Sequence, residues 1–213
     1  MIGSFRQNAY EYLRANIVAY FFMTLIFIIG VVVGALAVKT LPEEQKLELV
    51  GYLKVFFQGL VQTSATADTA ELFRNAALNN IKTIGLMWIL GFTIVGLPFV
   101  LFIVFTRGFV IGFTVGFLIN EYIMKGLVFA LASILPHNFF AVPAVIITGV
   151  SATSFSLLLV RRKMRGKVNL LYQSTAYTVV CLVMLAFMLI AALIEVYISP
   201  VFMKVIAGLL MKS

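Results

Sequence analysis

Long apolar runs alternate with short polar interruptions along most of this chain. Ile17–Val38 supplies 22 residues without a charge, and Thr83–Phe105, Phe139–Val160 and Ala176–Ile194 are further uncharged runs. A bilayer core about 30 Å thick is spanned by about 20 helical residues, so each run predicts a crossing. Gly108–Leu135 is less regular, interrupted by Glu121 and Lys125. Its first part, Gly108–Met124, predicts another crossing. Its second part, Gly126–Leu135, is too short to span and predicts a half-helix ending at Pro136.

The expected fold class is therefore all-α, a polytopic membrane bundle of about five transmembrane helices. The reading divides it into a cytoplasmic segment 1–16, a membrane domain 17–198 and an interfacial tail 199–213. Crossings are expected at about 17–38, 83–105, 108–124, 139–160 and 176–198, with the half-helix at 126–135 and a basic loop at 161–169. In the tail, Phe202, Val205, Ile206, Leu209 and Leu210 fit a short interfacial helix or a contact between copies.

The hydrophilic segment Lys39–Lys82 is the large exception. Thr40 and Glu43 have capping-box spacing, with Pro42 at an early helical position. Leu49, Leu53, Phe56 and Leu60 then recur at helical spacing, with Val50 and Phe57 beside them. Asp68 and Glu71 mark a second helix start, running on into Thr83–Phe105. Two amphipathic helices result, lying on lipid headgroups or the bundle, or presenting Leu49, Leu53, Phe56, Phe57 and Leu60 to an extracytoplasmic partner.

Composition supports the membrane reading: 62% of residues are hydrophobic, 11% are charged and the mean hydropathy is +1.09. The net charge of +8 does not point to nucleic acid, because five of sixteen basic residues cluster at one membrane end. Arg161, Arg162, Lys163, Arg165 and Lys167 form a positive-inside loop that sets topology. With Arg6 and Arg14 they predict a cytoplasmic N-terminus, Arg107 inside and the C-terminus outside. The run before Ala35–Ala37 is longer than a signal peptide's apolar core, so it reads as a retained crossing.

Candidate chemistry is sparse. The chain has no HExxH, CxxC, GxSxG or Walker lysine motif, one cysteine (Cys181) and one histidine (His137), so neither enzyme nor metal nor cofactor is expected. Glu43, Glu44 and Glu48 read as a solvated helix face. Glu121 and Lys125 have the i, i+4 spacing of a helical ion pair at the outer boundary. Gly30 and Gly34, and Gly108, Gly112 and Gly116, are spaced for close helix packing, inside the chain or between copies. In Leu135–Ala144, Pro136, His137, Asn138 and Pro143 read as a hinge whose polar groups satisfy a helix break near the outer surface.

The stretches Asn79–Phe113 and Ile134–Arg162, with the charged opening before Ile17, resemble the stage II sporulation protein M family, and the order of elements matches nearly throughout. The wider superfamily often reads P-H-G-x-x-E at the proline motif and asparagine before the glycine at 108. Here Asn138, Ala141 and Arg107 stand instead, so no acid–base role for a His/Glu pair carries over. The resemblance implies a non-catalytic scaffold at the sporulation septum that recruits the cell-wall-cleaving stage II sporulation proteins D and P during engulfment. A permease or channel-like protein for a small solute or lipid is the competing expectation, motivated by the Pro136 break and by Glu121 and Lys125.

Overall fold

The computed structural model describes residue 14 and residues 16–62, 69–165 and 170–203. Side chains are described at these positions except 54–62, 124–125 and 161–165. Among the described residues the elements are all helices: α1 (Ile17–Ala37), a 3-10 turn (Val38–Thr40), α2 (Glu43–Gln62), α3 (Thr69–Gly91), α4 (Gly96–Arg165) and α5 (Leu170–Leu193). A π-helical turn at Ile194–Ile198 ends the series. Among the described residues, four stretches are long and apolar enough to cross a membrane: Ile17–Thr40, Gly96–Ile123, Gly126–Val160 and Leu170–Met203.

The α1 helix pairs most extensively with the first arm of α4. Gly108 lies against the Phe27 backbone, Gly112 against Val31 and Gly116 against Ala35. Both series rise together, so the two helices run parallel. The second arm of α4 returns beside them: Gly149 meets Met23 and Val104, while the Ser154 hydroxyl donates to Asn16 Oδ1 at 2.7 Å. That bond spends the Asn16 side chain between helices, and no side-chain bond caps α1. The core sits where these three strands of helix meet α3 and α5, around Met23, Met87, Val104, Val150 and Met188.

α3 lies antiparallel to α5. Asn80 Nδ2 donates to the Met188 carbonyl at 3.0 Å near one end, and Trp88 Nε1 to Thr178 Oγ1 at 3.1 Å near the other. A turn follows, with Phe92 N donating to Ile89 O, Thr93 N to Leu90 O and Gly96 N to Thr93 O. The expected crossing 83–105 is therefore cut by a turn. Every residue of that turn is uncharged, so hydropathy passes through it unaltered. Gly91, Gly96 and Pro98 are its signals: a Cβ at Gly96 would strike the Leu90 backbone, and Pro98 fits the first turn of a helix. The crossing expected at 108–124 accordingly begins at Gly96, and Arg107 lies well inside it rather than in a cytoplasmic loop.

The reversal within α4 takes place at Ile123 (φ 48°, ψ −123°), close to Gly126, whose absent Cβ leaves room for the Leu118 carbonyl. Glu121 and Lys125 flank this reversal, so no helical register joins them; Glu121 Oε1 instead accepts from Asn120 Nδ2 at 3.1 Å. Gly126–Val160 is one helix, correcting the expected half-helix at 126–135 and separate crossing at 139–160. Similarly, helix continues past Ser199 and Pro200 to Met203, and the tail residues Val205, Ile206, Leu209 and Leu210 lie outside the described residues. Thr40 does not form the expected capping box: its hydroxyl donates back to the Ala37 carbonyl at 2.8 Å, closing α1. Leu41 is extended ahead of Pro42, as the proline ring requires, and α2 starts at Glu43, whose carboxylate pairs with Lys46 at 3.0 Å.

Candidate functional site: a polar set between membrane-length helices

The proline motif lies inside a continuous helix. Pro136 has no N–H for the Ala132 carbonyl, and the polar side chains beside it bond to neighbouring carbonyls of the same helix. Ser133 Oγ donates to Phe129 O at 2.8 Å and Asn138 Nδ2 to Ile134 O at 2.9 Å. Asn138 Nδ2 also lies 3.0 Å from His137 Nε2. With Nε2 accepting, the ring proton sits on Nδ1, which faces the Ser133 carbonyl without a well-formed bond. Pro143 follows one heptad later, on the same side and in the same helix. Helix runs through both prolines, so the expected hinge is a continuous helical segment.

Around His137 the fold gathers charges that are far apart in sequence. The Arg107 guanidinium, on the first arm of α4, donates to the Thr83 hydroxyl of α3. The Glu195 carboxylate, on the π-helical turn after α5, acts electrostatically on both Arg107 and His137. Ion pairs within 4.0 Å among the described residues are Lys46–Glu43 and Arg74–Glu71, so Glu195 reaches Arg107 over a longer gap. The π turn packs against both α3 and α4. Four residues beyond Glu195, Ser199 is 1% exposed and its hydroxyl has no partner among the described residues. One fixed cation, one carboxylate and one imidazole thus join three helices in the half of the bundle nearer Thr40. In a low-dielectric setting such a set binds helices together and holds polar groups that lipid would not solvate. No group of three or more His, Cys, Asp and Glu side chains suited to a metal forms among the described residues.

Sequence reasoning singles out His137, and names Arg107 only for topology and as a departure from the superfamily pattern; it passes over Thr83, Asn80 and Glu195. Their signal was polarity within runs read only for length, and misplacing the turn at Phe92 put Arg107 in a loop. The other expected residues fall elsewhere. Leu49 and Leu53 of α2 are half-buried, and Leu53 packs on the cluster of Leu118, Phe129 and Ala130. Phe56, Phe57 and Leu60 are helical in backbone, with side chains outside the described residues. Gly30 and Gly34 face Phe105 and Phe109 directly, inside the α1–α4 contact. Arg161, Arg162, Lys163 and Arg165 occupy the last turns of α4, and Lys167 lies outside the described residues.

Comparison with curated proteins and with solved structures found no match in either set. The family model described as Stage II sporulation protein M matches residues 23–200, which take in every helix that builds the polar set. Apolar helices long enough to cross a bilayer and a family match over most of the chain lead to one conclusion: this is a membrane protein belonging to the stage II sporulation protein M family.

Proposed function

We propose that this chain is a non-enzymatic membrane scaffold of endospore formation that holds peptidoglycan-degrading enzymes at the septum during engulfment. On this reading it crosses the membrane five times, by the four apolar stretches and by α3, with its N-terminus in the cytoplasm and its C-terminus outside. α2 then lies on the outer side, where wall hydrolases such as stage II sporulation proteins D and P act.

The observation that carries the reading is the mounting of α2. Leu53 fastens this 20-residue helix to the cluster of Leu118, Phe129 and Ala130 at the outer end of α4. Leu47 and Tyr52 stay 71% and 67% exposed. An amphipathic helix held by one face and open on another suits a docking element. Leu53 is thus an anchor, and partner contact belongs to Leu47 and Tyr52.

Tagged chain purified from membranes of sporulating cells tests this. With Leu47→Asp and Tyr52→Asp together, recovery of the hydrolases should fall at least tenfold while the chain's own membrane level is unchanged. Undiminished recovery would remove α2 as the docking element.

A further inference from the structure

α3 has one face that the described residues leave open. Ala77, Asn80, Ile84, Met87 and Gly91 are buried against α4 and α5. On the opposite side Asn75, Asn79 and Lys82 are exposed, continued towards the cytoplasmic turn by Leu86 and Ile89. At 3.6 residues per turn Asn75 and Lys82 fall almost in line, with Asn79 beside them. The open face carries Asn75, Asn79 and Lys82 in its outer half, flanked by exposed Leu72 and Leu78, and is apolar in its inner half.

The polar half lies at membrane depth. Lys82 adjoins Thr83, which holds Arg107, and Gly108 next to Arg107 packs on Phe27, the middle of Ile17–Ala37. Lys82 therefore starts level with the centre of an apolar crossing, and Asn79 and Asn75 lie between it and the outer end. Among the described residues Lys82 has no carboxylate within 4.0 Å, and the side-chain amides of Asn75 and Asn79 have no hydrogen bond. Glu71, one turn before Asn75, is engaged by Arg74 at 3.6 Å. Hydrocarbon solvates neither an amide nor an ammonium group, so this face calls for a polar occupant.

We propose that it seats a single transmembrane helix of a partner protein, one that carries a carboxylate in its outer half. Charge complementarity selects this occupant. A second copy related by a two-fold axis along the membrane normal would set Lys82 against Lys82. This chain's own apolar stretches carry carboxylates only at Glu121 and Glu195, both near outer ends. The inference rests on the scaffold reading and deepens it: a client anchored by one helix is gripped within the bilayer as well as at α2.

The test uses the full chain in phosphatidylcholine–phosphatidylglycerol liposomes, with a photoreactive amino acid at Leu78 on the same face. Synthetic leucine–alanine transmembrane peptides carry one Glu, Gln, Lys or Leu at successive outer-half positions. The Glu peptide should give at least fivefold more photoadduct than the Leu peptide. Lys82→Ala should abolish that preference, and Lys82→Glu should transfer it to the Lys peptide. Equal yields from all peptides, or adducts chiefly between copies of the chain, overturn the proposal. So does unchanged labelling of Asn79→Cys by a membrane-impermeant thiol reagent when the Glu peptide is added, since that marks an aqueous cavity. Failure here is separable from failure of the scaffold reading, because hydrolase recovery is scored on Leu47 and Tyr52 with Lys82 intact.

Discussion

At Gly112 the missing side chain is what permits the main helix contact. A Cβ there would run into the Val31 carbonyl, and one at Gly34 into that of Phe109. Glycine spacing was legible in the sequence because four-residue repeats fall on one helix face, and α1 and α4 bring those two faces together. Gly112→Ala should lower unfolding stability in detergent by about 1–3 kcal/mol, as overpacking does. Gly85→Ala meets nothing within 4 Å and removes a helix-weakening residue. It should be neutral or stabilising by up to about 1 kcal/mol. Equal losses at both sites in thermal unfolding would show that helix contact is not what Gly112 provides. Ile123 was not legible at all: a β-branched residue is among the least suited to positive φ, so nothing in its identity marks the reversal. Gly126, three residues on, is the better signal, and in the sequence it reads as the start of a short helix.

At the scale of elements, α3 shows how a helix end is tied down inside the bundle. Phe92 N turns to Ile89 O, which takes the next amide away from the Trp88 carbonyl. The buried Tyr177 hydroxyl of α5 sits 3.0 Å from Met87 O and 3.1 Å from Trp88 O and supplies the missing donor. Phe92, Phe155 and Tyr177 pack round the same turn, with Phe155 stacked on Tyr177 at 5.0 Å between ring centroids. Tyr177→Phe keeps that packing and removes only the hydroxyl. It should cost roughly 1 kcal/mol and speed amide exchange in the last turn of α3, read by hydrogen–deuterium exchange. Unaltered exchange there would mean the carbonyls find other donors. The turn itself escaped the sequence reading because Phe, Thr, Ile and Val score as membrane residues wherever they stand. Conversely, the first half of α3 reads as part of the outer segment, though running on into the next crossing, because Arg74, Asn75, Asn79 and Lys82 outweigh its buried face in any window average.

For the whole molecule, the membrane class was plain from composition, while the order of passes depended on long-range pairing that no local pattern records. The parallel run of α1 and the first arm of α4 requires one intervening return, and α3 supplies it. On the proposed five-crossing topology, Leu47 and Leu171 lie on opposite sides of the bilayer. In intact cells an impermeant maleimide should label Leu47→Cys, and Leu171→Cys only after the membrane is opened; both sites are exposed. Cys181 is buried and should not compete. Labelling of both in intact cells, or the reverse order, would overturn the orientation. The polar set was legible only in part: His137 stood out as the one histidine, whereas Arg107 and Glu195 gain meaning when helices distant in sequence meet.

The parallel pairing of α1 with α4 also governs the order of events during synthesis. Gly30 and Gly34 finish entering the membrane well before their partners Phe105 and Phe109 exist. At the roughly 5–20 residues per second of translation, the 75 residues from Gly30 to Phe105, or Gly34 to Phe109, leave the glycine groove of α1 facing lipid for several seconds. During that interval the nascent chain offers other small-residue helices the very surface it later closes, so the emergence of Gly96–Ile123 is the step that commits the molecule to its own fold.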